Sequence, residues 1–78
     1  MIYFVNVYFQ QKDGAIGHTS TNFTNEKDAC MEYHSQLAGI YTPENRENNQ
    51  WAIVQILTQD GRIAMQEHAK FDALAESA

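Results

Sequence analysis

An α+β fold is predicted: a four-stranded antiparallel sheet of ββαββ topology, strand order 2-1-3-4, with one helix on one face. Three observations predict it. Two stretches rich in β-branched and aromatic residues, "IYFVNVYFQQKDG" and "WAIVQILTQDG", each end in an Asp-Gly pair and so open a hairpin. Between the hairpins, "NEKDACMEYHSQLAGIY" has helical spacing of apolar residues. At 78 residues the chain has room for one domain, spanning 1–78.

The first strand is expected over 2–10 and the second over 15–23, with Gly14 in the left-handed conformation of a three-residue loop. That loop sets the register, placing Tyr3 beside Phe23, Val5 beside Thr21, Val7 beside Thr19 and Phe9 beside Gly17. Ile2, Phe4, Asn6 and Tyr8 then fall on the reverse face, with His18 opposite Tyr8.

Thr24 or Asn25 supplies the N-cap of a helix over 25–41, Glu26 and Asp28 favour its first turn, and Pro43 stops it. Ala29, Cys30, Tyr33, Leu37, Ile40 and Tyr41 form its apolar stripe. The segment "TPENRENNQ" contains no apolar side chain and reads as an exposed connection.

The second hairpin is expected over 51–58 and 62–69, with Asp60 and Gly61 as a two-residue turn. This register puts Val54, Ile56 and Thr58 beside Glu67, Met65 and Ile63 on one face. Trp51, Ile53, Gln55 and Leu57 then lie beside Lys70, His68, Gln66 and Ala64 on the other. Residues 70–78 read as a short helix or frayed tail, with Phe71 and Leu74 able to tuck against the body.

Composition narrows the function classes. Ten acidic against five basic side chains give a formal charge of −5, and Lys12, Lys27, Arg46, Arg62 and Lys70 are dispersed. Too few cations are present to neutralise many phosphates, so direct nucleic-acid binding is not expected. An acidic surface serves solubility, or occupies the basic groove of a nucleic-acid-handling protein. The apolar run at the N-terminus is about nine residues, too short for a membrane span, and it reads as a strand and not a signal. One cysteine cannot form an internal disulfide, which points to a reducing, cytoplasmic setting.

No catalytic, cofactor or metal motif is present. His18, His34 and His68 match no ligand spacing, and Cys30 lies on the apolar stripe, where it is expected to be buried and unreactive. "QKDGAIG" lacks the helix and lysine of a phosphate loop. No enzyme is therefore expected, and no cofactor.

The unusual feature is that the first and third strands are apolar on both faces. One helix covers one face, which leaves Ile2, Phe4, Tyr8, Trp51, Ile53 and Leu57 on the other. Leaving such side chains wet forgoes roughly 1.5–3 kcal/mol each. A covering partner is expected, either a second copy in a homodimer or another protein, with the C-terminal tail as the internal alternative. Trp51 with Tyr8 and Phe4 suits an interface hot spot better than a base-stacking platform, because no cations flank it.

The arrangement of "IYFVNVYFQQKDG", "NEKDACMEYHSQLA" and "WAIVQILTQDGRIAMQEH" resembles small, mostly uncharacterised ββαββ proteins of bacteriophages and mobile elements of Gram-positive bacteria. Such products are commonly accessory factors that bind and inhibit host proteins, anti-CRISPR proteins among them. The resemblance is one of pattern, so it implies a role and transfers no functional residue. The expected function is a non-catalytic protein-binding module that docks or self-associates through the open face. The alternative is a small ligand-binding or enzymatic domain in which dimerisation encloses a cleft lined by Tyr8, His18, Trp51 and His68.

Overall fold

A computed structural model of the chain describes residues 1–71. Its strands are β1 (Tyr3–Gln11), β2 (Ile16–Phe23), β3 (Asn49–Thr58) and β4 (Ile63–Lys70), and its helices are α1 (Glu26–Ile40) and α2 (Pro43–Asn48). The strands form one antiparallel sheet in the order β2-β1-β3-β4, with α1 packed across β1 and β3. The fold is the expected one. Among the described residues no helix is long and apolar enough to cross a membrane.

The first hairpin closes through Lys12, Asp13 and Gly14. Gln11 N–H donates to the Ala15 carbonyl at 2.7 Å, Gly14 N–H donates to the Gln11 carbonyl at 2.9 Å, and Gly14 has φ of 94°. Only glycine enters that region without steric cost, and the register is Tyr3–Phe23, Val5–Thr21, Val7–Thr19 and Phe9–Gly17, as the loop length dictates. Gly17 is required for another reason: a Cβ there would lie 2.1 Å from Phe9 Cζ, because the ring packs onto the bare backbone.

The second hairpin corrects an expectation. Its loop is Gln59, Asp60 and Gly61, three residues and not two, closed by Thr58 N–H to the Arg62 carbonyl at 2.8 Å, with Gly61 at φ 87°. Thr58 Oγ1 donates to Asp60 Oδ1 inside the turn. That hydrogen bond, foremost, holds the Asp60 carboxyl below its ordinary range. The longer loop is accommodated by a bulge: Ile56 pairs with Met65 but Leu57 pairs with Ile63, leaving Ala64 as the extra residue. Ile63 therefore joins Leu57 on the open face, where Ala64 was expected, and does not sit beside Thr58.

The connection between the halves is a second correction. Residues 43–48, expected as an exposed loop, form α2. Thr42 Oγ1 accepts from Asn45 N–H at 3.4 Å and Pro43 occupies the first turn with its φ already helical. No side chain of α2 is buried, so capping and not amphipathicity makes this helix.

A second bulge lies at the start of β3. Gln10 pairs with Trp51 and Gln11 with Asn49, so Gln50 is the extra residue. Gln50 Nε2 donates to the Gln11 carbonyl at 3.1 Å, and the bulge turns Asn49 to the helix side of the sheet, beside Gln11.

Between α1 and the sheet lies the core of Val5, Val7, Ala29, Tyr33, Ile40, Ala52, Val54, Ile56, Ala69 and Phe71. Asn25 caps α1, its side chain accepting from Lys27 N–H at 2.8 Å. Two members of the predicted stripe behave differently from expectation. Cys30 is half-buried and packs against the edge of the core instead of lying inside it, and Tyr41 is 39% exposed, because α1 ends before it. Phe71 is buried as expected. The proposed tail beyond it, with Leu74, lies outside the described residues.

Tyr41 clips the end of α1 to β4. Its hydroxyl donates to Glu67 Oε2 at 2.6 Å, and its ring stands edge-on to Phe71 with centroids 6.2 Å apart. That hydrogen bond, reinforced by partial burial and the carboxylate charge, raises the hydroxyl's pKa above its ordinary value of 10.0. Burial, then the same carboxylate, raises that of Tyr33. A group that holds its proton more tightly when folded contributes stability that is complete below its unfolded value and lost as pH rises through its folded one. Urea midpoints are thus expected to fall above pH about 10, and Tyr41→Phe to weaken that dependence; an identical alkaline profile for both proteins would refute the assignment.

Candidate functional site

The face of the sheet opposite α1 is uncovered by any described residue. Four cross-strand rows build it, following the registers of β2, β1, β3 and β4 in turn. Asn22, Phe4, Leu57 and Ile63 make the first, and Ser20, Asn6, Gln55 and Gln66 the second. His18, Tyr8, Ile53 and His68 make the third, and Ile16, Gln10, Trp51 and Lys70 the fourth. Strand alternation puts an amide row between two apolar rows.

The amide row is connected. Asn6 Nδ2 donates to Gln55 Oε1 at 3.3 Å, and Gln55 Nε2 to Gln66 Oε1 at 2.9 Å. Asn6 is only 5% exposed although no helix covers it; the flanking rows of Phe4 and Leu57 and of Tyr8 and Ile53 enclose it. In the fourth row Trp51 Nε1 donates to Gln10 Oε1 at 2.9 Å, which satisfies the one polar atom of the indole.

The structure brings five of the six predicted residues onto this face. Phe4, Tyr8, Trp51, Ile53 and Leu57 are half-buried there. Ile2 precedes β1 at the margin, exposed, its N–H donating to Gln59 Oε1 at 3.0 Å. Ile16, 71% exposed, and Ile63, 51% exposed, extend the apolar surface to both edges. Ile16 was legible as a second-strand residue of the right parity, whereas Ile63 needed the bulge.

The histidines do not converge. Tyr8 and His18 stack, with centroids 4.4 Å apart and planes 5° from parallel, while His68 meets Trp51 edge-on at 6.0 Å. His18 is on one edge strand and His68 on the other, three strand spacings or roughly 14 Å apart, too far to share an ion within one chain. The four residues of the alternative cleft thus form two separate aromatic pairs. His34 stands edge-on to Tyr33, with ring centroids 5.4 Å apart. No group of three metal-binding side chains occurs among the described residues.

A second feature lies on the helix side. A cleft of about 360 Å³ opens where α1 leaves β2 uncovered. Val7, Phe9, Gln11 and Thr19 form its floor, Gln36, Gly39 and Ile40 one wall, and Asn45, Asn48 and Asn49 the other. The backbone bond from Lys12 N–H to the Asn48 carbonyl, 2.9 Å, ties the first hairpin loop to α2 at its rim. Sequence reasoning missed this cleft because it depends on α2 and on the bulge at Gln50. The concentration of Asn and Gln in "TPENRENNQ" was the only available signal.

Comparison with protein-family models, curated proteins and solved structures gives no significant match.

Proposed function

We propose that this chain is a non-catalytic protein-binding module that pairs with a second copy of itself, open face to open face. The distribution of charge carries this reading. Every acidic side chain among the described residues lies off the open face: Glu26, Asp28 and Glu32 on α1, Glu44 and Glu47 on α2, Asp13 and Asp60 in the hairpin loops, and Glu67 on the helix side of β4. The face itself carries one formal charge, Lys70 at its margin.

An acidic chain of net charge −5 repels its own copy through any other surface. Through this one it meets a neutral, aromatic-rich surface, and the carboxylates point outward on both sides of the pair. Size is adequate as well. Four strands of eight to ten residues present a footprint on the order of 550 Å² before side-chain relief is counted. That is of the same order as the ~800 Å² each partner contributes to a standard interface.

Sedimentation equilibrium across a concentration series tests the proposal. A dimer whose β1 and β3 open-face side chains show intermolecular nuclear Overhauser contacts supports it. A monomer at millimolar concentration, or a dimer contacting through α1, overturns it. Inhibition of a host protein, the role implied by the resemblance to phage accessory factors, is proposed on that resemblance alone.

A further inference from the structure

We propose that the cleft between β1, α1 and α2 is a binding site for an uncharged, hydroxyl-rich small molecule of monosaccharide size. It lies on the opposite side of the sheet from the docking face and does not depend on the dimer.

Asn49 is the observation that carries this furthest. It is only 8% exposed, lines the cleft, and its carboxamide has no hydrogen-bond partner among the described residues. Its polar atoms are not sealed off, so the cleft is where a partner can reach them. The bulge at Gln50 is what aims Asn49 here; in regular alternation with Trp51 it would face the other side of the sheet.

The chemistry of the lining selects the ligand class. Gln11, Gln36, Asn45, Asn48 and Asn49 are carboxamides and Thr19 adds a hydroxyl. Each carboxamide presents a donor and an acceptor side by side, matching a hydroxyl group that both donates and accepts. Gln36 Nε2 is already engaged with Glu32 Oε1 at 2.9 Å, and Asn45 Nδ2 with the Gly39 carbonyl at 2.6 Å, which orients both side chains and leaves their oxygens as acceptors. No charged side chain lines the cleft, so an anion or cation would lose its hydration without compensation. Half-buried Phe9 provides apolar surface for the C–H face of a sugar ring, while Val7 and Ile40 belong to the core. A volume of about 360 Å³ falls within the range of small-molecule sites.

The test is titration of the ¹⁵N-labelled full chain with glucose, galactose, mannose and N-acetylglucosamine, and with glucuronate and glucose 6-phosphate as charged counterparts, followed by the side-chain amide resonances. At least one neutral sugar is expected to shift the Asn49 and Asn48 amides saturably, with a Kd below about 10 mM, and to bind more tightly than either charged compound. Asn49→Leu should weaken binding about tenfold, with an unchanged dispersion of backbone amide resonances showing that the variant keeps the fold. Asn48→Ala, at an exposed position, should weaken binding several-fold and decides the matter if Asn49→Leu fails to fold. The proposal is overturned by absence of saturation for every neutral sugar, by tighter binding of the charged compounds, or by unchanged affinity in the variants that fold.

Discussion

Replacing Ile53 with lysine is expected to convert the proposed dimer into a folded monomer, raising its dissociation constant about 100-fold or more. Ile53 stands in the third row between Tyr8 and His68, on a central strand. A two-fold interface contains each substitution twice, so two ammonium groups would lose water in a surface that offers no carboxylate to pair with them. Unpaired charge at the centre of an interface is among the costliest changes available. The neighbours Val54 and Ala52 point the other way into the core at 0% exposure and are untouched, so the circular dichroism spectrum should be preserved. Unfolding of the variant, together with a monomeric parent protein, would show that Ile53 serves only the stability of a single chain.

The second large effect is expected inside the protein. Phe71→Ala should lower unfolding free energy by about 3–5 kcal/mol, the range for truncating a buried phenylalanine, and a chain this short has a total at the low end of roughly 5–15 kcal/mol. Phe71 is 1% exposed and is among the largest fully buried side chains. It lies just past the end of β4, where its ring meets Tyr41 from the end of α1. The truncation therefore removes both core volume and the packing that seats the Tyr41–Glu67 clip. Phe71→Leu, which keeps most of the volume, should cost less than half as much. Equal urea midpoints for the parent and the alanine variant would show that this end of the chain adds nothing to the core.

Much of this architecture was legible in the residues. Gly14 in a three-residue loop specified the pairing of β1 with β2, because loop length and side-chain alternation together leave one register. The doubly apolar character of β1 and β3 placed them in the middle of the sheet, and the same character exposed the open face. The rest was invisible for physical reasons. Gln50 reads as the end of an exposed connection and Ala64 as an ordinary strand residue, yet each is the extra residue of a bulge, and the bulges re-aim Asn49 and Ile63. A bulge is chosen by the fit of two strands and their loops, which no local pattern encodes. Helix α2 escaped because its evidence is a cap and a proline rather than a periodic apolar stripe. Without α2 and the bulge at Gln50, the amide cleft could not be foreseen.

The strand order has a consequence for how the chain comes to be. β1 leaves the ribosome before the other three strands of the sheet, yet half of its hydrogen-bonding partners lie in β3, with Tyr3 paired to Thr58. Each hairpin is local and closes within roughly 1–10 µs. Joining the two requires closing the long intervening stretch, including α1 and α2, before any β1–β3 contact repays the lost chain entropy. Throughout synthesis of residues 24–48 the nascent N-terminal hairpin carries an unpaired strand edge with apolar side chains on both sides of β1. Aggregation-prone exposure is therefore greatest in the half-made chain, and the interval ends only when β3 emerges and docks along the edge that β1 has kept open.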